Sequence, residues 1–116
     1  MHEIPESAKP ALDMLRGVGG DDMVAMLLRT FVQFADERVG KLAEEAGNAR
    51  WSEVASIAHA LKSSARQLGA LALADACAET EASGRANDVV KATSGVVAIQ
   101  QEFVAARSWM DAAAGG

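Results

Sequence analysis

One internal histidine lies beside a lysine and small hydroxyl side chains in the segment AHALKSSARQLGA, residues 58–70. Residues three and four positions apart share one face of an α-helix, so a helix here brings His59, Lys62 and Ser63 together. An imidazole nitrogen can act as a nucleophile that carries a phosphoryl group, and a neighbouring cation can balance the charge of that group. The spacing therefore indicates phosphoryl chemistry. A plain surface histidine is the competing interpretation, because short motifs are weak indicators.

The helical periodicity of this segment predicts which of its faces meets solvent. At about 100° per residue, five apolar residues fall within roughly 40° of one direction and form a core stripe: Val54, Ala58, Leu61, Ala65 and Leu68. His59, Lys62 and Arg66 lie about 80–140° from that stripe, and Ser52 and Ala55 lie beside them. Two cations on this side indicate that it faces water.

The elements that must position this patch are all predicted to be helices. They cover residues 10–15, 21–46, 49–67 and 71–83, and a last helix runs from a cap at Asn87 or Asp88 to about residue 110. The glycine run at 17–20 separates the first two helices, Gly47-Asn48 ends the second, and Gly84 is expected to end the fourth. Short connections between long amphipathic helices predict an all-α, antiparallel up-down four-helix bundle with a short extra N-terminal helix. The predicted organisation is a flexible N-terminus over 1–9, a bundle over 10–111 and a frayed tail over 112–116.

Composition narrows the function classes. With 116 residues and a net charge of −5, the chain is one acidic domain, which argues against nucleic acid as a partner. It has no apolar run of about 18 residues and no secretory signal pattern, so we expect a cytoplasmic protein. The single cysteine, Cys77, cannot form an internal disulfide and is expected to be a small core residue. Glu44, Glu45, Glu79 and Glu81 are interpreted as solvated helix faces rather than ligands, and no metal site is predicted.

The motif and its surroundings resemble the histidine phosphotransfer (HPt) domains of bacterial phosphorelays. The family pattern of His, any residue, Leu, Lys, a small pair and a later apolar-Gly pair is carried by His59, Leu61, Lys62, Ser63, Ser64, Leu68 and Gly69. Trp51 opens the same helix, and the likeness extends over about residues 11–107. One departure is Ser63, where the family commonly has glycine.

The resemblance implies that His59 accepts a phosphoryl group and relays it between the aspartates of receiver domains. Lys62 would then stabilise the phosphoryl oxygens. Ser63 or Ser64 would hydrogen-bond the group or serve only as small helix residues. Partner contacts are expected from Arg66 (unless it is only a solvated cation), Ser52 and Ala55, and across the bundle groove from Phe34 and Arg38.

The implied partners are a response-regulator receiver domain and a hybrid histidine kinase, with the chain itself a monomer. The chain would be a phosphoryl carrier without a cofactor of its own, since magnesium and the acceptor aspartate belong to the receiver. It has no phosphate-binding loop, and the acidic residue and proline typical of autokinase helices do not follow His59, so autokinase activity is not expected. The alternative is a non-catalytic adaptor that keeps the HPt shape and binds a signalling partner without being phosphorylated.

Overall fold

The computed structural model describes residues 3–115, and within them the chain is a bundle of α-helices without strands. A 3₁₀ turn, Glu6–Ala8, leads into α1 (Lys9–Gly47), followed by α2 (Trp51–Gln67), α3 (Leu71–Arg85) and α4 (Val89–Ala113). Each helix packs on the next in chain order, and α4 packs back on α1. Because the connections are only a few residues long, neighbouring helices run antiparallel. The predicted all-α, antiparallel four-helix bundle is confirmed.

A break in α1 separates the extra N-terminal segment from the helix of the bundle. Gly20 has φ 79° and ψ −176°, a conformation that favours glycine, while the residues on both sides are helical. The predicted break within the glycine run therefore occurs, but the first segment continues through Gly17 and Gly19. Arg16 binds Asp13 at 2.9 Å and Asp21 at 2.6 Å, so one guanidinium joins the two sides of the break.

Both ends of the bundle extend further than predicted. Ala8 is fully buried. A Cβ placed on Gly69 would lie 2.6 Å from the Cα of Ala8, so the segment before residue 10 packs on the α2–α3 connection. At the other end Ala114 is buried, and its carbonyl accepts a hydrogen bond of 2.6 Å from Arg29 Nη2. Local patterns did not show these contacts because each joins segments that are distant in sequence.

Two of the connecting turns also differ from expectation. Ala49 takes the left-handed conformation (φ 57°), so α2 begins at Trp51 rather than at residue 49. At the start of α4, the Asp88 carboxylate accepts a hydrogen bond from Lys91 N at 3.2 Å, which identifies Asp88 as the cap.

The core contains the residues that the periodicity placed there. All five residues of the predicted α2 stripe are buried, as are Leu73, Cys77 and Thr80 on α3. Burial raises the pKa of the Cys77 thiol to about 12, so the thiol stays protonated at neutral pH.

The expectation that all four glutamates lie on solvated faces is wrong for Glu45 and Glu81, which are 5% and 6% exposed. Glu45 lies 3.5 Å from Lys41 Nζ and 3.8 Å from Arg50 Nη1, which compensates its charge. No helix within residues 3–115 is long and apolar enough to span a membrane.

Gly84 lies in the last turn of α3, which continues to Arg85 rather than ending at the glycine, and it packs closely against α2. A Cβ there would meet the carbonyl oxygen of Trp51 at 2.8 Å and the Cβ of Ala55 at 3.2 Å. Because the nearer atom belongs to the backbone, the two helices would have to move apart to admit a methyl group. The glycine therefore sets the distance between α2 and α3.

We expect Gly84→Ala to lower the free energy of unfolding by about 1–3 kcal/mol, since it overpacks the α2–α3 contact. The matched control is Gly40→Ala, because a Cβ at Gly40 meets nothing within 4 Å and alanine is the better helix former. That control is expected to stabilise the protein by about 0.5–1 kcal/mol. Urea unfolding followed by circular dichroism measures both changes, and equal effects of the two substitutions would contradict the close crossing.

Candidate functional site

Helix α2 presents His59 to solvent on the face opposite its buried stripe. The stripe fixes the rotation of the helix, because Val54, Ala58 and Leu61 are fully buried. The His59 side chain is 55% exposed, so its imidazole is accessible from outside the bundle. The predicted placement of His59 on an exposed surface is confirmed by this geometry.

The imidazole is held from one side by a carboxylate on the neighbouring helix. Glu81 of α3 places Oε2 3.0 Å from His59 Nδ1, while its own side chain is only 8% exposed. Glu81 was not among the predicted site residues. The signal that could have found it is helical spacing, because Glu81 follows the inward residues Leu73 and Cys77 at intervals of eight and four positions.

Two further donors converge on the same carboxylate. Lys62 Nζ donates to Glu81 Oε1 at 2.7 Å, and Arg85 Nη2 lies 2.7 Å from Oε2, the oxygen that also faces His59. The Lys62 hydrogen bond, helped by His59 and Arg85 against the effect of burial, holds the pKa of Glu81 below its ordinary value. The buried carboxylate is therefore ionised at neutral pH, and the three donors around it compensate the cost of taking its charge out of water.

The ionised Glu81 carboxylate favours one of the two tautomers of a neutral His59 imidazole. It can only accept hydrogen bonds, so Nδ1 must carry the hydrogen in the 3.0 Å contact. In a neutral imidazole the other nitrogen, Nε2, then has a free lone pair. Nε2 lies on the far side of the ring from Glu81, so the arrangement makes it the nucleophilic atom.

The remaining residues of the predicted chemical patch differ in accessibility. The Lys62 side chain is 20% exposed, and its ammonium is engaged with Glu81. Ser63 is exposed, and its hydroxyl donates to the backbone carbonyl of His59 at 3.4 Å, a local helix contact. Ser64 is half-buried on the side of α2 that faces α1. The structure thus brings Lys62 and Ser63 beside His59, with Ser64 turned away.

The residues predicted to contact a partner divide into two groups. Ser52 and Arg66 are exposed on the His59 side of α2. Ala55 is only 2% exposed, because it lies under the close approach of Gly84, so the expectation of a partner contact at Ala55 is wrong. The exposed face of α2 also includes Ser56 and Gln67, which were not among the predicted contact residues.

An apolar groove of about 260 Å³ opens between α1 and α2, C-terminal to His59 along α2. Phe34 lies in its wall with Ser64, together with Leu15, Leu27, Thr30, Phe31, Gln67 and Leu68. The guanidinium of Arg38 lies over the Phe34 ring, with its carbon 5.3 Å from the ring centre. The half-buried Phe34 and the exposed Arg38 therefore form one edge of α1, whereas Phe31 is buried.

No set of three or more His, Cys, Asp or Glu side chains within residues 3–115 is arranged to hold a metal ion. His2, the second histidine of the chain, lies outside the described residues. The site thus consists of one accessible imidazole, the carboxylate behind it and the cations around that carboxylate.

The described residues thus form a four-helix bundle with a solvent-facing histidine on its second helix. The profile of the Hpt domain matches residues 26–109, which include His59 and Glu81. The chain therefore belongs to the Hpt domain family. Comparison with curated proteins gives no match, and comparison with solved structures gives none either.

Proposed function

We propose that this protein relays a phosphoryl group between the aspartates of receiver domains, with His59 as the carrier, in a bacterial cytoplasmic two-component phosphorelay. Hpt domains act in phosphorelays together with receiver domains and kinases. The observation that carries the proposal is the half-exposed imidazole whose Nδ1 contacts the buried, ionised Glu81. This pair supplies an accessible nucleophile in a fixed tautomer.

The chemical step requires little beyond this arrangement. The Nε2 lone pair forms a bond to the phosphorus of the partner's aspartyl phosphate, and the bond from phosphorus to the carboxylate oxygen breaks. The aspartate leaves with the electron pair, and the ring, which keeps its Nδ1 hydrogen, becomes positively charged. The Glu81 carboxylate stabilises that charge as it develops. The reverse sequence passes the group to a second receiver, whose bound magnesium would neutralise the phosphoryl oxygens.

Lys62 supports the step through the carboxylate. Its hydrogen bond is the largest of the influences that keep Glu81 ionised, and it uses one of three ammonium donors. The other donors are available to phosphoryl oxygens if the side chain extends further into solvent. Ser63, next in sequence, is small and leaves room for a partner.

The docking surface that we propose consists of the exposed face of α2 and the neighbouring edge of α1. Ser52, Ser63 and Arg66 provide its polar part, and the groove beside Phe34 and Ser64 provides an apolar part. Exposed cations at Arg66 and Arg38 match the acidic pocket of a receiver, and such charges act mainly on the rate of association. A transient relay contact needs only a small interface.

The direct test is incubation of the protein with a phosphorylated receiver domain and magnesium. We expect phosphate to appear on this protein in a form that is stable in base and labile in acid, as a phosphoramidate bond is. The purified protein mixed with ATP alone is expected to remain unmodified. A stable complex with the receiver without any phosphate transfer would instead support the adaptor alternative.

A further inference from the structure

The two cations paired with Glu81, Arg85 and Lys62, are not equivalent, because Arg85 is much more exposed to solvent than Lys62. The Arg85 side chain is 64% exposed, whereas the Lys62 side chain is 20% exposed. Arg85 uses one terminal nitrogen for Glu81 at 2.7 Å, and a guanidinium has five N–H donors. Most of its donors therefore remain available at the surface, beside the imidazole.

Arg85 lies near the N-terminal end of α2, which is the direction in which the His59 side chain inclines. The preceding residue, Gly84, lies against Trp51 and Ala55 of α2, so Arg85 is level with the turn before His59. Side chains on an α-helix incline towards its N-terminus, so the imidazole leans over that turn. The guanidinium and the ring also share Oε2 of Glu81, at 2.7 and 3.0 Å.

We propose that Arg85 binds the phosphoryl group on His59 and is a catalytic residue of the transfer, in addition to its contact with Glu81. The inference rests on the proposed function and extends it to a residue that the HPt motif does not contain. A phosphoryl group on Nε2 carries two negative charges and accepts hydrogen bonds from a planar guanidinium in a bidentate manner. Lys62 can remain on Glu81 when Arg85 moves, so the carboxylate keeps a partner.

Arg85 is on the opposite side of α2 from the groove beside Phe34. The phosphoryl group would thus be held from α3 while a partner occupies α2 and the edge of α1. Such a contact does not depend on the partner, so it predicts an effect on transfer from a small molecule. That separates Arg85 from residues such as Arg66 that are proposed to act through docking.

The experiment uses phosphoramidate, a small phosphoryl donor, and measures the initial rate at which phosphohistidine forms. We expect Arg85→Ala to lower this rate about tenfold, the loss of one charge-assisted contact in the transition state. Arg85→Lys should retain part of the rate, because it keeps the charge and loses the planar fork. The matched control is Lys91→Ala, which removes an exposed cation on α4 away from the site.

A second comparison separates contact with the phosphoryl group from an effect through Glu81. In a Glu81→Gln background, Arg85→Ala should still lower the rate several-fold, and the Arg85 Nε–Hε signal of the wild type should shift in NMR spectra on phosphorylation. An unchanged rate in Arg85→Ala, or a loss that disappears in the Glu81→Gln background, would overturn the inference while the proposed function stands. Failure of the wild-type protein to form phosphohistidine would instead overturn the proposed function.

Discussion

His59→Gln is expected to abolish acceptance of phosphate from a receiver domain while the bundle stays folded. Glutamine has no nucleophilic ring nitrogen, so no phosphoramidate bond can form. The His59 side chain is more than half exposed and lies away from the buried stripe of α2. Exposed substitutions usually change the free energy of unfolding by no more than about 0.5 kcal/mol. Transfer from a labelled receiver, measured with circular dichroism of the same sample, tests both statements.

Phosphate transfer and circular dichroism can each contradict one of these two statements. A large fall in the melting temperature of His59→Gln would show that the histidine supports the core. Undiminished labelling of the variant would show that another residue accepts the phosphate. Ser56→Ala is a suitable control on the same exposed face of α2, and we expect it to fold normally and to accept phosphate.

Glu81→Gln is expected to have the second largest effect, a tenfold to hundredfold slower transfer. The amide still accepts a hydrogen bond from Nδ1 but carries no charge, so it cannot stabilise the positive ring that forms when Nε2 attacks. Charge-assisted hydrogen bonds are worth roughly 1.5–3 kcal/mol, which corresponds to that range of rates. Rapid-quench measurement of transfer from a phosphorylated receiver gives the value.

The same substitution should change how stability depends on pH. The folded-state pKa of Glu81 lies below the ordinary value of 4.5, so its ionised form stabilises the folded protein. This contribution is fully present above pH 4.5 and is lost as the pH falls through the lower, folded-state pKa. We therefore expect the wild type to exceed Glu81→Gln in free energy of unfolding by a constant amount near neutrality, with the difference shrinking in acid.

Glu79→Gln is the matched control for both experiments, because Glu79 is exposed on the same helix two residues earlier. It should leave transfer and the pH profile of stability close to those of the wild type. Equal behaviour of the two glutamate variants would contradict the role assigned to Glu81. A stability difference that grows in acid would show that the carboxylate is not stabilised in its ionised form.

The parts of the fold that depend on local periodicity could be predicted from sequence. The α2 stripe from Val54 to Leu68 fixed the rotation of the helix, and that rotation placed His59 at the surface. The break in α1 could also be predicted, because a glycine run is unfavourable within a helix. These features depend on residues within one or two turns of each other.

The rest depends on contacts between helices. Glu81 looked like a solvated residue because its three partners lie on another helix or one turn away, and no local pattern shows that Lys62 and His59 converge on it. Ala55 looked accessible because the close approach of Gly84 is a property of the packed pair of helices. The burial of Ala8 and of Ala114 has the same origin.

The central claim is that Glu81 holds Nδ1 of His59 and leaves Nε2 as the atom that carries the phosphoryl group. Long-range ¹H–¹⁵N NMR of the ¹⁵N-labelled protein after phosphorylation identifies the modified nitrogen through its chemical shift and its coupling to phosphorus. We expect the phosphoryl group on Nε2, with Nδ1 still protonated. A phosphoryl group on Nδ1 would contradict the account, because the Glu81 contact could not then exist.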